Sequence, residues 1–411
     1  MTAPLAALEP MVFVLLTAIA ALPEMPSTRA FGVLPENTPE ANQAALQKAI
    51  DWAASKGAAL YVEPSDTPYP MAGGTILRRK VSLIGAHGPV GRGTKHPDKP
   101  QPVGSVFAIQ DRSKPFLTVE SATQVRGIQF WYPDQTLSDP DKVISYPPTI
   151  QVSQSSPTQG VTLRDLTFYG EWFAMDFGAP ASAPCEQILI EHCYGYPLSG
   201  RFVRIDRCYD VPRVLNCHVN PANMRQFRGD FAKAVIDSVI RQKTFAYDID
   251  RTDNAHLRGV FTFGTYGGIR LGAASYGQLT DFNFDCVNTG IWKLGDSEFN
   301  RNWMVSNGSI IANVGEKVAD IHPVVVEGKG HLSLSNVEAF SGGNAALTTL
   351  GQSQDYLLVR GSDLSTISLF GCRMRNYAGD HPFTVLNPKA RIQAVGCWDK
   401  NQNPFAFPTS G

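Results

Sequence analysis

One short pattern recurs along most of the chain: an apolar residue, any residue, then Asp, His, Asn or Gly, then most often an apolar residue or Cys. It reads VRGIQF from Val125, LRDLTF from Leu163, IEHCYG from Ile190 and LNCHV from Leu215. It continues as LRGVFTF from Leu257, LTDFNF from Leu279, VSNGSI from Val305, LSNVEAF from Leu334, LFGCRM from Leu369 and VGCW from Val395. With the Asp/His/Asn/Gly position as anchor, the gaps from Gly127 to Gly396 run from 22 to 43 residues. Their mean is about 30, inside the range of roughly 20 to 50 that marks a solenoid or related array. Each repeat holds a second strand-like segment: FVRID, AYDID, GGIRLG, GIWKLG, VVVEG, YLLVRG and FTVLN. Short strands with no helical period between them favour a β-solenoid over a leucine-rich repeat. A propeller needs four strands per blade, and two or three are visible here. The reading is an all-β, single-stranded right-handed parallel β-helix of about ten rungs.

In such a stack, equivalent residues lie over one another at about 4.8 Å per rung. Cys193, Cys217, Cys372 and Cys397 then share one column with Leu166, Val260, Phe282 and Val337, an apolar ladder that must face inward. Packing accounts for these cysteines without a disulfide or a metal. The chain has seven in all, an odd number, and none stands in a short zinc-ligand spacing. Asn216, Asn307 and Asn336 occupy the anchor itself, where a polar ladder or a turn is their ordinary duty.

The charge balance narrows the function. Lys and Arg number 36 against 37 Asp and Glu, a net charge of −1. A dedicated nucleic-acid binder needs a surplus of cations, and nothing here calls for an anionic membrane surface. No phosphate loop, dinucleotide fingerprint or Ser-His-Asp context is present. The segment 1–28 contains the apolar run MVFVLLTAIAAL from Met11, too short to span a bilayer. Its length suits a signal peptide, although Glu9 and the lack of a preceding cation speak for a cap on the fold. Export to the outside, the periplasm or the cell envelope is the expectation.

The β-helix domain is assigned to 29–411, with a capping helix at 39–56. Thr38 suits the N-cap, Pro39 the first helical position and Glu40 the positive helix end. Ala45, Leu46, Ala49, Ile50 and Ala53 form the apolar stripe, and Lys56-Gly57 closes the helix. Strands follow at Ala58–Val62, Thr75–Leu77 and Val81–Ile84. The stretch FGVLPENTPEANQAALQKAIDWAASKGAALYVEPSDTPYPMAGGTILRRKVSLIGAHG resembles the opening segment of pectate-lyase-superfamily, glycosyl-hydrolase-28-related (pectin-lyase-like) proteins. The resemblance covers about residues 31–88 and departs at PENTPE, where that family carries Gly-Asp-Gly and paired Asp. It implies a capped parallel β-helix and a carbohydrate substrate. It implies no reaction, because the hydrolase motifs Asn-Thr-Asp and Gly-His-Gly and the lyase motif vWiDH are missing.

Chemistry is sought on the second strand. FVRIDR and AYDIDR align, leaving Arg204, Asp206, Asp248 and Asp250 facing outward. Arg270 and Lys293 are expected to continue the Arg204/Asp248 column, followed by apolar Val325 and Leu358. Glu327 and Arg360 are expected to continue the Asp206/Asp250 column. Carboxylates at i and i+2 on a strand stand about 6.5–7 Å apart, close to the separation used in inverting glycoside hydrolysis. A glycoside hydrolase with Asp248 and Asp250 as acid and base is the leading expectation. Arg204, Asp206, Arg270, Lys293, Trp292, Trp131 and Tyr132 would line the substrate. A lyase would use Lys293 or Arg270 as base beside Asp248, Asp281 and Asp285, with Ca²⁺ entering only in that case. Otherwise no cofactor or metal is expected. His256 is a further candidate acid or base. The plainer reading of the charges is a solvated salt-bridge ladder, and a non-catalytic glycan-binding or adhesive β-helix is the competing class. The expected partner is a polysaccharide or oligosaccharide, with no nucleic acid or membrane, and the chain a monomer or homotrimer. The Asp134–Pro148 stretch reads as a surface loop walling the groove.

Overall fold

Every anchor residue of the repeat is a bend. Gly127, Asp165, His192, Asn216, Gly259, Asp281, Asn307, Asn336, Gly371 and Gly396 all have φ between 53° and 70°. In that left-handed region Cβ crowds the backbone, which Gly avoids and Asn, Asp and His tolerate best. The computed structural model describes residues 25–87, 98–99, 101–135, 140–224, 232–295, 302–315, 320–342 and 351–405. The apolar run at Met11–Leu22 lies outside them.

The residues before each bend stack in parallel register. Val125, Leu163, Ile190, Val214, Leu257, Leu279, Val305, Leu334, Leu369 and Ala394 are successive partners along one column. Two motif starts shift by one: Val214 and Ala394 take the column, whereas Leu215 and Val395 sit one place further on, opposite Glu191 and Phe370. The bends fold a 20-stranded sheet into two legs, and an 11-stranded sheet and a small three-stranded one close the coil. The seven second segments read from the sequence all belong to the 11-stranded sheet. The architecture is a right-handed parallel β-helix, with eleven stacked strands on that sheet where about ten rungs were expected.

Aromatic rings fill the bore. Phe107, Phe130 and Phe168 are register partners, and the last two rings stack at 5.0 Å. The next position is Gly195, and the Phe202 ring from the other sheet occupies the space its side chain would take; a Cβ there would lie 2.2 Å from that ring. All seven cysteines are buried and unbridged. Cys193 and Cys217 follow their bends as expected, and Cys185 and Cys208 form a second stack on the small sheet.

Helix α1 (Pro39–Lys56) caps the first rungs. The Thr38 hydroxyl accepts from the Ala41 N–H at 3.3 Å, and Gly57 ends the helix at φ 64°. Asn42 joins Leu46, Ala49, Ile50 and Ala53 in its buried face, where its amide donates to Leu34 and Pro70 carbonyls. A second helix, α2 (Ala232–Arg241), occupies the longest gap between anchors. Its Ile236 and Ile240 pack beside Cys286 and Val314, and Val239 beside Tyr169, Tyr196 and Leu198.

Candidate functional site

Seven strands of the 11-stranded sheet carry the site: β1 (Phe173–Gly178), β2 (Arg201–Asp206), β3 (Phe245–Ile249), β4 (Gly267–Leu271), β5 (Thr289–Lys293), β6 (His322–Glu327) and β7 (Leu357–Arg360). Their inward residues alternate with an outward column. Along it Asp176, Arg204, Asp248, Arg270, Trp292, Val325 and Leu358 are consecutive register partners. Charge of alternating sign fills the first four rungs, and apolar surface the next three.

Arg270 organises the charged part. Its Nε donates to Asp248 Oδ1 at 2.6 Å and its Nη2 to Asp250 Oδ2 at 3.2 Å. Burial pulls this guanidinium's pKa down, but the two carboxylates more than offset it and hold the group above its ordinary value. The other oxygen of Asp248 lies 3.6 Å from Arg201, so two guanidiniums flank a carboxylate that is only 7% exposed. One guanidinium is thus shared by Asp248 and Asp250 across neighbouring positions of the sheet.

Asp176, which the sequence reading passed over, differs. Burial pushes its carboxyl up, against a 2.8 Å hydrogen bond from the Gly178 N–H and the pull of Arg204. Arg204 lies between Asp176 and Asp206 at 3.7 Å from each, a loose bridge that leaves its guanidinium able to meet a ligand. Asp206 itself is tied to Arg207 at 2.8 Å. Asp176 escaped notice because FAMDFG lacks the second carboxylate that drew attention to AYDID.

Other candidates are displaced. Lys293 is not in the outward column: its register partners are Leu271 and Val326, it is 1% exposed, and its ammonium donates to the Leu294 carbonyl at 2.6 Å. The observed register of GIWKLG differs by one residue from the expected one, which puts Trp292 on the site and Lys293 inside. The other candidate lyase base, Arg270, is held by two carboxylates. Tyr132 is buried with its hydroxyl 2.6 Å from Thr149 Oγ1, so it offers no stacking face. Trp131 is half-buried against Tyr169 and Tyr196. Asp281, Asp285 and His256 lie on the 20-stranded sheet, away from Asp248. Asp281 is an anchor bend paired with Arg258 at 3.0 Å. Burial raises the Asp285 carboxyl and, with Arg213, lowers the His256 imidazole. Glu327 and Arg360 are register partners joined at 2.8 Å, as the ladder requires. The Asp134–Pro148 stretch is not wholly surface: Gln135 and Tyr146 are buried, and residues 136–139 lie outside the described set. Among the described residues no cluster of three or more His, Cys, Asp or Glu is placed to hold a metal. No described helix is long and apolar enough to cross a membrane.

The stacked parallel sheets and the capping helix make the fold a right-handed parallel β-helix. The chain superposes on the pre-mature gene product 12 of bacteriophage phi29 with a TM-score of 0.65 at 13% identity, covering 95% of this chain and 51% of that one. A tailspike protein double mutant of E. coli bacteriophage HK620 gives 0.55 at 11% identity, covering 93% and 67%. The Agl-KA catalytic domain gives 0.50 at 11%, covering 91% and 69%. The chain thus spans about half the length of the phi29 protein. No protein-family model and no curated protein matches its sequence.

Proposed function

We propose that this β-helix is a carbohydrate-active protein that cleaves glycosidic bonds as a glycoside hydrolase, along the outer face of the 11-stranded sheet. One observation carries the reading: Asp176 and Asp248 share one outward column with a single rung between them, burial pushing the Asp176 carboxyl up while two guanidiniums flank Asp248. Two rungs amount to about 9–10 Å at the backbone, at the upper end of the roughly 6.5–9.5 Å that suits an acid and a water-activating base in inverting hydrolysis. Asp176 is the proton donor to the leaving oxygen, and Asp248, flanked by Arg201 and Arg270, is the base. Asp250 shares Arg270 and keeps it fixed. Arg204 meets the substrate between the two, and Trp292 offers a ring to a sugar one rung beyond Arg270. The neighbours in structure include a tailspike and a catalytic domain, which agrees with a polysaccharide or oligosaccharide as substrate and with action outside the cytoplasm.

A panel of neutral and uronate-containing polysaccharides, scored for reducing ends and ultraviolet absorbance, tests it. Reducing ends alone, reduced about 10²–10⁴-fold in both Asp176→Asn and Asp248→Asn, are expected. Absorbance rising with the reducing ends would mean β-elimination. Glycan binding without either signal would transfer the protein to the adhesive class, which the thoroughly paired Asp–Arg ladder also suits.

A further inference from the structure

Beside Trp292 lies a pocket of about 390 Å³, within the range of small-ligand sites. It holds an oriented acid–base pair that the glycosidic reading does not use. His322 Nδ1 lies 2.9 Å from Asp355 Oδ1. Asp355 is fully buried, and its second oxygen has no hydrogen-bond partner among the described residues. A buried anion on one ring nitrogen sets the tautomer and leaves Nε2 as the working nitrogen, on a residue that lines the pocket. The Asp355 carboxyl fixes the ring's orientation, as the third member of a catalytic triad does for its general base.

The walls supply the remaining parts of a hydrolytic site. The Thr289 hydroxyl donates to Asn288 Oδ1 at 3.0 Å, which occupies the oxygen of that amide and leaves Nδ2 as its donor end. Gly315 stands over Nδ2, where a Cβ would come within 2.6 Å, so only glycine keeps the donor open. Since Thr289 spends its proton on Asn288, the nucleophile is water. Trp292 and Tyr266 form the aromatic wall, and the Trp292 ring is fixed by its Nε1–H donating to Glu327 at 3.2 Å and by Phe245 at 5.7 Å.

We propose that this pocket is a second catalytic site that hydrolyses an O-acyl ester on a sugar. The sugar ring lies on Trp292, and the acyl carbonyl oxygen faces Asn288 Nδ2. His322 Nε2 takes a proton from water as the water oxygen bonds to the carbonyl carbon. The resulting oxyanion is held by Asn288. The C–O bond to the sugar then breaks, and the imidazolium returns its proton to the departing alkoxide. Water and ester become carboxylic acid and alcohol. Asp355 is a positioning residue.

The test uses the full chain with 4-methylumbelliferyl acetate and a chemically O-acetylated oligosaccharide, reading fluorescence and free acetate. Acetate release counts a different bond from reducing ends, so this inference and the glycosidic reading fail separately. His322→Gln is expected to lower kcat/KM about 10²–10⁴-fold, and Asp355→Asn to lower kcat with KM unchanged. Asn288→Ala should cost about 10²–10³ in kcat. Should His322→Gln fail to fold, as judged by its melting curve, the Asn288 variant decides. No acetate from either probe, or release untouched in a folded His322→Gln or Asn288→Ala protein, overturns the proposal.

Discussion

A turn that only a few side chains can make recurs at each anchor, and its cost is measurable. Asn336 holds φ 53° and its amide donates to Asn307 one rung away at 3.4 Å. Asn336→Ala is expected to lower stability by about 1–2 kcal/mol in urea unfolding, and Asn336→Gly to restore most of it. These positions were legible because left-handed backbone favours Gly, Asn, Asp and His, the four types found at the ten anchors. Glu171 was not legible, because nothing in its local sequence shows that burial awaits it. It is fully buried, accepts from the Tyr196 N–H at 3.0 Å, and burial raises its pKa well above the usual carboxylate range. A group whose folded value is raised contributes stability below its unfolded value of about 4.3 and loses it as pH climbs through the folded value. Glu171→Gln removes that titration. The variant is therefore expected to gain on the native protein as pH rises from 5 to 8, which paired thermal melts would show.

At the scale of elements, the outward ladder balances buried charge rung by rung. Arg270→Ala would strip Asp248 of its nearer guanidinium, at a cost of roughly 2–3 kcal/mol, since Arg201 remains and Arg270 is itself partly exposed. The double variant Arg270→Ala, Asp248→Asn should lose clearly less than the sum of the singles, because the second change discharges the stranded anion. A denaturation cycle over the four proteins measures this coupling. Helix α1 was readable to its ends from Thr38, Pro39 and Gly57, since caps are local. Register was the weak point: GIWKLG offers two inward alternations, and only the pairing of Leu271 with Lys293 decides between them. That choice buries a lysine, and the ladder imposes it. Helix α2 was hidden in the longest gap, where the rung period gives no guidance.

Across the whole molecule the two ends of the coil are unlike. Helix α1 covers the first rungs, whereas the last strand of the 20-stranded sheet, Arg391–Val395, has no described partner beyond it. Phe370 and Val395 are register partners there at 42% and 50% exposure, with Trp398 at 45% nearby. Exposed apolar side chains gathered in this way favour association between molecules. Sedimentation of the native chain is expected to show concentration-dependent association. Phe370→Lys with Val395→Lys should suppress it without lowering the melting temperature; an unchanged sedimentation profile would place the contact elsewhere, including a lateral homotrimer.

The left-handed bends also set how such a coil ages. Its ten anchors use only Gly, Asn, Asp and His, with oily character at a few other sites, so the informational content of a rung is small. Substitutions can accumulate nearly everywhere else while the coil keeps its pitch. A chain 11–13% identical to its structural neighbours yet superposable over more than nine-tenths of its length is what so sparse a specification permits. The same thrift frees the outer face to be rewritten rung by rung, one column of side chains at a time.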